Sequence, residues 1–586
     1  MTATVKGLST CRQRLLDAAR GSFLGGESSA KRRILRCFPL KERHFKSPSL
    51  SIPIDFHATL CSKICAADRR VYLASLYIGP AANPVASVKE SELLRALQTT
   101  AAPDIKILLD RNRALRPVPV IEGEATTISS AEACFRVLEP KLRQNSLPVN
   151  SAGVYLLTVL PAWQQLVLTN PYNEVAGVFH LKCYIVDDDI ILTGANLSEE
   201  YFCDRTDRYL WITSDGDGRR HEPEDEDSVA SDHTNSLVEC YAALVEVLCR
   251  HAEPYTSSTA MKYPPRTTRQ ELLDSLVDLL TVDAPSGAGE PDLTKRGIEE
   301  LGVNGEIKSL ARESATVSIV GDYSKAQNSD CESVAAYAVP TFQAPPYFFR
   351  GLVSPIPADT DVISSFTETV AESTTDGSSQ IRLASAYLNL TDDMISSMAQ
   401  CRNTAIHFLT AGKISHGFKP NPAKAGNKGK AWIPAVFDAL GRQGVSALKE
   451  RQRVANNKSS TDLWYYQREG WTFHAKGMWF TCKIPGHDND NIAPSSSNDG
   501  DVRIAHAFSL CAVTHGSGNY GARSAVCDLE SNLILVLSDT VSTNVHTIFQ
   551  NDWNQMCVHA GLAESEESQP LSSKLRMVLP IIRPFF

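Results

Sequence analysis

The feature that most constrains the fold is a repeat. The stretch "VYLASLYIG" (Val71 to Gly79) returns as "IRLASAYLN" (Ile381 to Asn389), an aliphatic run carrying Leu-Ala-Ser-x-Tyr in both copies. Short apolar runs of this kind predict buried strands. Each copy follows a segment with helical spacing, "FHATLCSKICAADRR" before the first and "SSFTETVAESTTD" before the second. Downstream of each lies a His-x-Lys pair, His180 and Lys182 in "GVFHLKCYIV" and His474 and Lys476 in "GWTFHAKGMWF". The separations are similar, 107 residues from Leu73 to His180 and 91 from Leu383 to His474. A chain of 586 residues is too long for one core, and this one reads as two related halves.

Side chains alternate along a strand, so His180, Lys182 and Tyr184 are predicted on one face, with Leu181, Cys183 and Ile185 on the other. Asp187 to Asp189 predict a tight hairpin between "CYIV" and "IILTG". The halves also align beyond the His-x-Lys pairs. "TGAN", ending at Asn196, faces "GSGN", ending at Asn519, and eleven residues after each asparagine comes a carboxylate, Asp207 and Glu530. Each half thus offers His, Lys, Asn and an acid in the same order.

Other segments are less core-like. Residues 1–50 carry eleven Lys and Arg against three acids, and residues 1–48 read as a basic organelle transit segment. Residues 49–213 form the first half, 214–334 an acidic loop, a helical stretch ("TTRQELLDSLVDLLTV") and linkers, and 335–586 the second half. "PGHDNDNIAPSSSNDGD" (Pro485 to Asp501) reads as a surface insertion within the second motif. The most apolar run, "AGVYLLTVLPAWQQLVL", is broken by Pro161, Gln164 and Gln165, so no spanning helix is expected. The net charge of -9 argues against a nucleic-acid partner, and the 15 scattered cysteines read as reduced thiols rather than a zinc site.

The pattern His180-x-Lys182-x4-Asp187 followed by a glycine-asparagine element resembles the signature of the phospholipase D superfamily. Within it, "FHLKCYIVDDDIILTGANLSEEYFCDRTDRY", "WTFHAKGMW" and "GSGNYGARSAVCDLES" are similar to the eukaryotic mitochondrial phosphatidylglycerophosphate synthases. In those synthases too the second motif lacks its closing aspartate, whose place Thr481 takes here. The resemblance implies an α/β fold of two α/β/α sandwich halves related by a pseudo-twofold axis, with one shared active site. It implies CDP-diacylglycerol and glycerol 3-phosphate as substrates, on the route to phosphatidylglycerol and cardiolipin. It also implies peripheral contact with the matrix side of the inner mitochondrial membrane, and it leaves a homo-oligomer open.

The residue types suit attack on a phosphodiester, an anion that needs cations and donors around its nonbridging oxygens. Lys182, Lys476, Asn196, Asn519 and the Ser517 hydroxyl can provide them. Two half-steps need two imidazoles, one as nucleophile and one as acid and base, each oriented by a carboxylate, Asp207 or Glu530. His180 is assigned as nucleophile because its motif is complete, and His474 as acid and base. The superfamily pattern suggests for each histidine a carboxylate downstream of the same motif. Asp187 is expected to support the strand end rather than move protons. No metal or cofactor is required by this scheme. Arg523 is a candidate phosphate ligand with a salt bridge to Asp528 as its alternative; Lys430 in "NPAKAGNKGKAW" and Tyr77 are further binding candidates, with Tyr387 at the matching strand end. His515 beside "GSGN" is the one remaining histidine that could line the site. A hydrolase using water as acceptor and a non-catalytic scaffold are the competing readings.

Overall fold

The computed structural model describes chiefly residues 14–19, 32–46, 52–83, 85–120, 126–143, 152–161, 172–214, 236–256, 268–283, 334–345, 363–369, 379–419, 432–483, 508–538, 543–563 and 573–583. Two sheets carry the fold. The first is built from β1 (Arg70–Ser75), β2 (Asp104–Asp110), β3 (Ala152–Leu157), β4 (Cys183–Val186), β5 (Asp189–Thr193) and β6 (Tyr209–Thr213) in the order β6-β5-β4-β1-β2-β3, closed at one edge by Glu253–Pro254. The second contains β7 (Val334–Gln343), β8 (Ser379–Ser385), β9 (Thr404–Ala411), β10 (Ser460–Tyr466), β11 (Lys476–Lys483), β12 (Phe508–Gly516) and β13 (Glu530–Leu537), in the order β10-β9-β8-β11-β12-β13-β7.

Those orders are the same order twice. In the first sheet β1 pairs parallel with β2 and β2 with β3, while β4, β5 and β6 add antiparallel from β1. In the second, β8 pairs parallel with β9 and β9 with β10, while β11, β12 and β13 add antiparallel from β8. The repeated "LAS" segments are β1 and β8, at the centre of each sheet, and both are buried almost throughout, as expected of strands covered on two faces. The expectation of two related α/β halves is borne out.

Alternation assigns each strand face to a core. Leu181, Cys183 and Ile185 enter one large core between the sheets, together with α2 (Leu237–His251) and residues of β8, β11 and β13. Tyr184 and Val186 turn the other way, onto α1 (Pro53–Ala66) through Phe56, Leu60 and Ile64. The predicted hairpin joins β4 to β5, and Asp187 holds its turn at φ 52°. Its carboxylate accepts from the backbone N–H groups of Asp68, Arg69 and Arg70 at 3.1, 2.9 and 3.0 Å, which fixes the start of β1 well away from the chemistry. The helix expected in "TTRQELLDSLVDLLTV" runs over Arg269–Leu280 and opens with a Thr268/Glu271 capping box.

Part of the basic N-terminal region is built into the fold. Phe38–Lys41 pairs with β7 at the edge of the second sheet, Phe45 bridges Ile212 of β6 in the first, and Leu35 pairs with Thr281. Phe38, Leu40 and Phe45 are buried. Residues 32–46 therefore tie the two halves together; their alternating apolar positions were masked in the sequence by the surrounding arginines.

Candidate active site

One pair of two-residue strands and one isolated bridge place the predicted groups, and they do so by exchange between the halves. Phe179 forms a parallel bridge with Leu529, and Arg205–Thr206 pairs in parallel with Thr472–Phe473. The His180 N–H donates to the Leu529 carbonyl at 2.8 Å, and the His474 N–H donates to the Thr206 carbonyl at 2.8 Å. Each histidine is thus hung from the residue preceding the other half's acid.

The carboxylates follow the same exchange. His180 Nδ1 bonds Glu530 Oε1 at 2.9 Å and Oε2 at 3.0 Å, while His474 Nδ1 bonds Asp207 Oδ2 at 2.7 Å. This corrects the expectation of a partner downstream of the same motif. A carboxylate on Nδ1 fixes the tautomer and turns Nε2 toward the substrate side. Both carboxylates are buried, and burial pushes Asp207 up to about 6 and Glu530 upward as well.

The cations complete the cluster. Lys182 Nζ and Lys476 Nζ each donate to the carbonyl of the histidine two residues earlier, at 2.7 Å, so the two motifs are curled alike. Burial lowers Lys182 to about 7 and Lys476 to about 8, against the pull of Glu530 and Asp207. Both imidazoles are held well below their ordinary range by burial and then by the neighbouring lysines; the His180 ring is itself one of the charges acting on His474. Lys182 also acts on His474, and Lys476 on His180, so each half's cation reaches the other half's histidine. An anion entering there would relieve the crowding of positive charge.

Glycines allow the close approach. A Cβ on Gly194 would come within 2.8 Å of Asp207 Oδ1 and 3.0 Å of Lys476 Nζ, so "TGAN" needs glycine where its backbone passes over the acid. Asn196 is buried and Asn519 half-buried, and the carboxamide oxygen of each is buried and unpartnered among the described residues. Ser517 is less free than expected. Its hydroxyl donates to the Ser531 carbonyl at 3.3 Å and accepts from the Ser531 N–H at 3.2 Å, beside Glu530.

The binding candidates divide. Arg523 makes its alternative contact: Nε and Nη2 grip Asp528 at 2.9 and 3.2 Å, and Nη2 donates to the Glu174 carbonyl at 2.6 Å. Its charge still reaches His180. Tyr77 Oη lies 3.2 Å from Ser198 Oγ and 3.4 Å from Glu200 Oε1, under the Arg113 guanidinium, in the wall rather than at the centre. Lys430 lies outside the described residues. His515 does not line the site: it is buried behind it, with Nε2 2.9 Å from the Leu192 carbonyl of β5, a tie between the sheets.

Sequence reasoning missed Tyr201. Its Oη lies 3.3 Å from His474 Nε2 and accepts from Asn196 Nδ2 at 3.1 Å. Tyr201 stands five residues after Asn196, and the matching position after Asn519 is Ser524, whose hydroxyl instead donates to Glu530 Oε1 at 3.0 Å. A search for what the halves share passes over a position where they differ. Arg205, stacked 4.3 Å over the Tyr201 ring, was missed for the same reason.

This fold and its paired, exchanged histidine and carboxylate groups define the class: a duplicated α/β protein whose two halves each complete the other's histidine–carboxylate pair. No family model matches the chain. It is 26% identical over 92% of its length to the mitochondrial CDP-diacylglycerol–glycerol-3-phosphate 3-phosphatidyltransferase of Mus musculus, covering 83% of that relative. It is 24% identical over 90% of its length to a probable enzyme of the same name in Dictyostelium discoideum, of which it covers 75%, and 22% identical over 90% to that of Saccharomyces cerevisiae, of which it covers 86%. The fold matches a phosphatidylserine synthase of Haemophilus influenzae with a TM-score of 0.56 and 14% identity, over 94% of this chain and 97% of that one. The resemblance read from the motifs is thereby borne out.

Proposed function

We propose that the chain transfers a phosphatidyl group from CDP-diacylglycerol to glycerol 3-phosphate, releasing CMP and forming phosphatidylglycerophosphate. The reading of a phosphoryl-transfer site is carried by the exchanged His–carboxylate pairs; the choice of donor and acceptor is supported by the names of the relatives. His180 Nε2 attacks the phosphorus bearing the diacylglycerol, the bond from phosphorus to the CMP oxygen breaks, and His474 gives that oxygen its proton. His474 then takes the proton of the incoming hydroxyl, the alcohol oxygen bonds to phosphorus, and the P–N bond to His180 breaks. Lys182 and Lys476 hold the nonbridging oxygens throughout. The donor's negative charges raise the lowered pKa of His474, so the proton it must donate arrives with substrate.

The diacyl chains keep the donor in a bilayer, because exposing them would cost about 0.8 kcal/mol per CH2. No helix among the described residues is long and apolar enough to cross a membrane. Docking through exposed apolar side chains fits better. Met577 on α4 (Ser573–Ile582) is 80% exposed and Trp432, beside the start of α3 (Ile433–Val454), is 43% exposed, while Leu579 packs α4 onto Val436 and Leu440 of α3. Together with "PAWQQLVL", where Val167 is exposed, they support peripheral contact with a membrane, for which the inner mitochondrial membrane is the reading taken from relatives named mitochondrial.

The deciding experiment incubates the purified protein with CDP-diacylglycerol, with and without glycerol 3-phosphate. CMP release that depends on glycerol 3-phosphate, or CMP exchange into the donor in its absence, is expected. CMP release indifferent to the acceptor would instead identify a hydrolase.

A further inference from the structure

On the His474 side the site continues past the catalytic groups. Tyr387 stands edge-on to His474, with ring centroids 6.0 Å apart, and beyond it His416 stands edge-on to Tyr387 at 5.5 Å. Arg205 lies alongside. Its Nε donates to Thr472 Oγ1 at 3.0 Å and its Nη2 to Glu200 at 2.9 Å, which leaves Nη1 without a partner among the described residues. Gly417 joins these groups: a Cβ there would meet the Tyr387 hydroxyl at 2.7 Å and Arg205 Nη2 at 3.8 Å.

His416 is the informative residue. It is 2% exposed, and its Nδ1 accepts from the Phe418 N–H at 3.1 Å, so in a neutral ring Nε2 carries the hydrogen. That Nε2 is buried with no partner among the described residues. Burial among Phe418, Phe437 and Tyr387, with Arg205 adding to it, lowers the ring's pKa to about 3, so it is neutral at ordinary pH. A buried donor left unpaired costs about 1–3 kcal/mol, so a donor of this kind beside an arginine with a free Nη1 points to an anionic ligand.

We infer that the side-chain cluster of Arg205, Tyr387 and His416 is the subsite for the phosphate of a phosphorylated acceptor alcohol. The inference rests on the phosphatidyltransferase reading given above. The leaving nucleotide is also a phosphate ester, but its departing oxygen is on phosphorus itself and must lie against His474. The acceptor's phosphate is separated from its reacting hydroxyl by the carbon backbone. A donor cluster one aromatic ring beyond His474 fits the second case. Glu200, paired with Arg205, limits the net positive charge there, so hydrogen-bond geometry rather than bulk charge selects the ligand.

The test compares glycerol 3-phosphate with unphosphorylated glycerol as acceptors for the full chain with CDP-diacylglycerol in mixed micelles, beside CMP exchange into the donor, which needs no acceptor. His416→Phe keeps a ring in the aromatic cluster and removes the donor; the KM for glycerol 3-phosphate is expected to rise about tenfold or more, the loss of one hydrogen bond to a charged group, and the preference over glycerol to fall with it. Arg205→Lys, kept in the comparison if its thermal melt matches wild type, is expected to lower the same preference. Unchanged preference in a folded variant overturns the subsite. So does a rise confined to the KM for CMP in exchange, which would give the cluster to the nucleotide. If the wild type neither exchanges CMP nor consumes glycerol 3-phosphate, the reaction assignment itself fails and the subsite falls with it; an active wild type with unmoved preference sinks the subsite alone.

Discussion

The two motifs hang from the same backbone bonds yet present their histidines differently. His180 is backed by Glu530, which Ser524 steadies, and no described side chain meets its Nε2. His474 is backed by Asp207, and its Nε2 faces the Tyr201 hydroxyl with Lys476 Nζ 3.2 Å away. An open nitrogen suits attack on phosphorus, and a nitrogen already in a hydrogen-bonded chain suits proton traffic. The difference teaches where two copies of one fold part company around the same pair: tyrosine against serine at the fifth residue after asparagine.

The strongest way to break this comparison is to remove each ring. His180→Ala is expected to lose about 10^4-fold or more in turnover and to form no acid-labile phosphoenzyme. His474→Ala is expected to lose about 10^2 to 10^4-fold yet to retain label from donor carrying a radioactive phosphatidyl phosphate, because the nucleophile remains. Label on His180→Ala and none on His474→Ala would reverse the roles.

A second contrast concerns two glycines. A Cβ on Gly477 would lie 1.9 Å from Arg208 Nη1, in a guanidinium held by Asp552 and by the Lys476 and Thr514 carbonyls, at a φ of 154°. Gly477→Ala is therefore expected to destabilise by roughly 2–4 kcal/mol, read as a lowered midpoint in urea. Gly194→Ala presses instead on Asp207 and Lys476, and its expected mark is lost turnover with a smaller shift in that midpoint. Equal stability losses at the two would show that the Asp207–Lys476 pair is as rigid as the Arg208 anchor.

The titrations sharpen the picture further. Asp207, raised by burial to about 6, gains the charge that orients His474 as pH rises through that value. Lys182 and Lys476, lowered by burial to about 7 and about 8, lose their charges as pH rises through theirs. The free protein's kcat/KM is thus expected to climb near pH 6 and to fall between about 7 and 8. A bound phosphate anion favours the ammonium forms, so the alkaline limb of kcat is expected at higher pH. Coincident alkaline limbs in both profiles would mean the lysines do not hold the phosphate.

Much of this was legible in the sequence. The repeat, the alternation of Leu181, Cys183 and Ile185, and the spacing from asparagine to acid are local patterns, and local patterns survive in a linear reading. The exchange of Glu530 and Asp207 was not legible, because spacing is identical whether an acid serves its own half or the other. Tyr201, Arg205 and His416 were missed because each breaks the repeat or lies outside it. The strand at Phe38–Lys41 was hidden by composition, since eleven basic residues in the first fifty outweighed two inward-facing apolar ones.

The smallest expected effect tests the point where the motifs themselves differ, Asp187 against Thr481. Asp187, in the half-buried turn between β4 and β5, accepts the backbone N–H groups of Asp68, Arg69 and Arg70, whereas Thr481 lies buried in β11, where its hydroxyl bonds the Gln380 carbonyl at 3.5 Å. Asp187 sits at φ 52°, which Asn tolerates, so Asp187→Asn keeps the conformation and exchanges a carboxylate for a weaker acceptor. Its pKa is lowered by those N–H groups, and the stability it contributes is present above the ordinary carboxylate range and lost as pH falls through the depressed value. Asp187→Asn is thus expected to cost about 1 kcal/mol at pH 7, with the gap from wild type narrowing below about pH 4. Turnover per folded molecule should stay within about twofold of wild type; a hundredfold loss would place the closing aspartate in the chemistry after all and make the threonine of the second motif a functional defect rather than a harmless replacement.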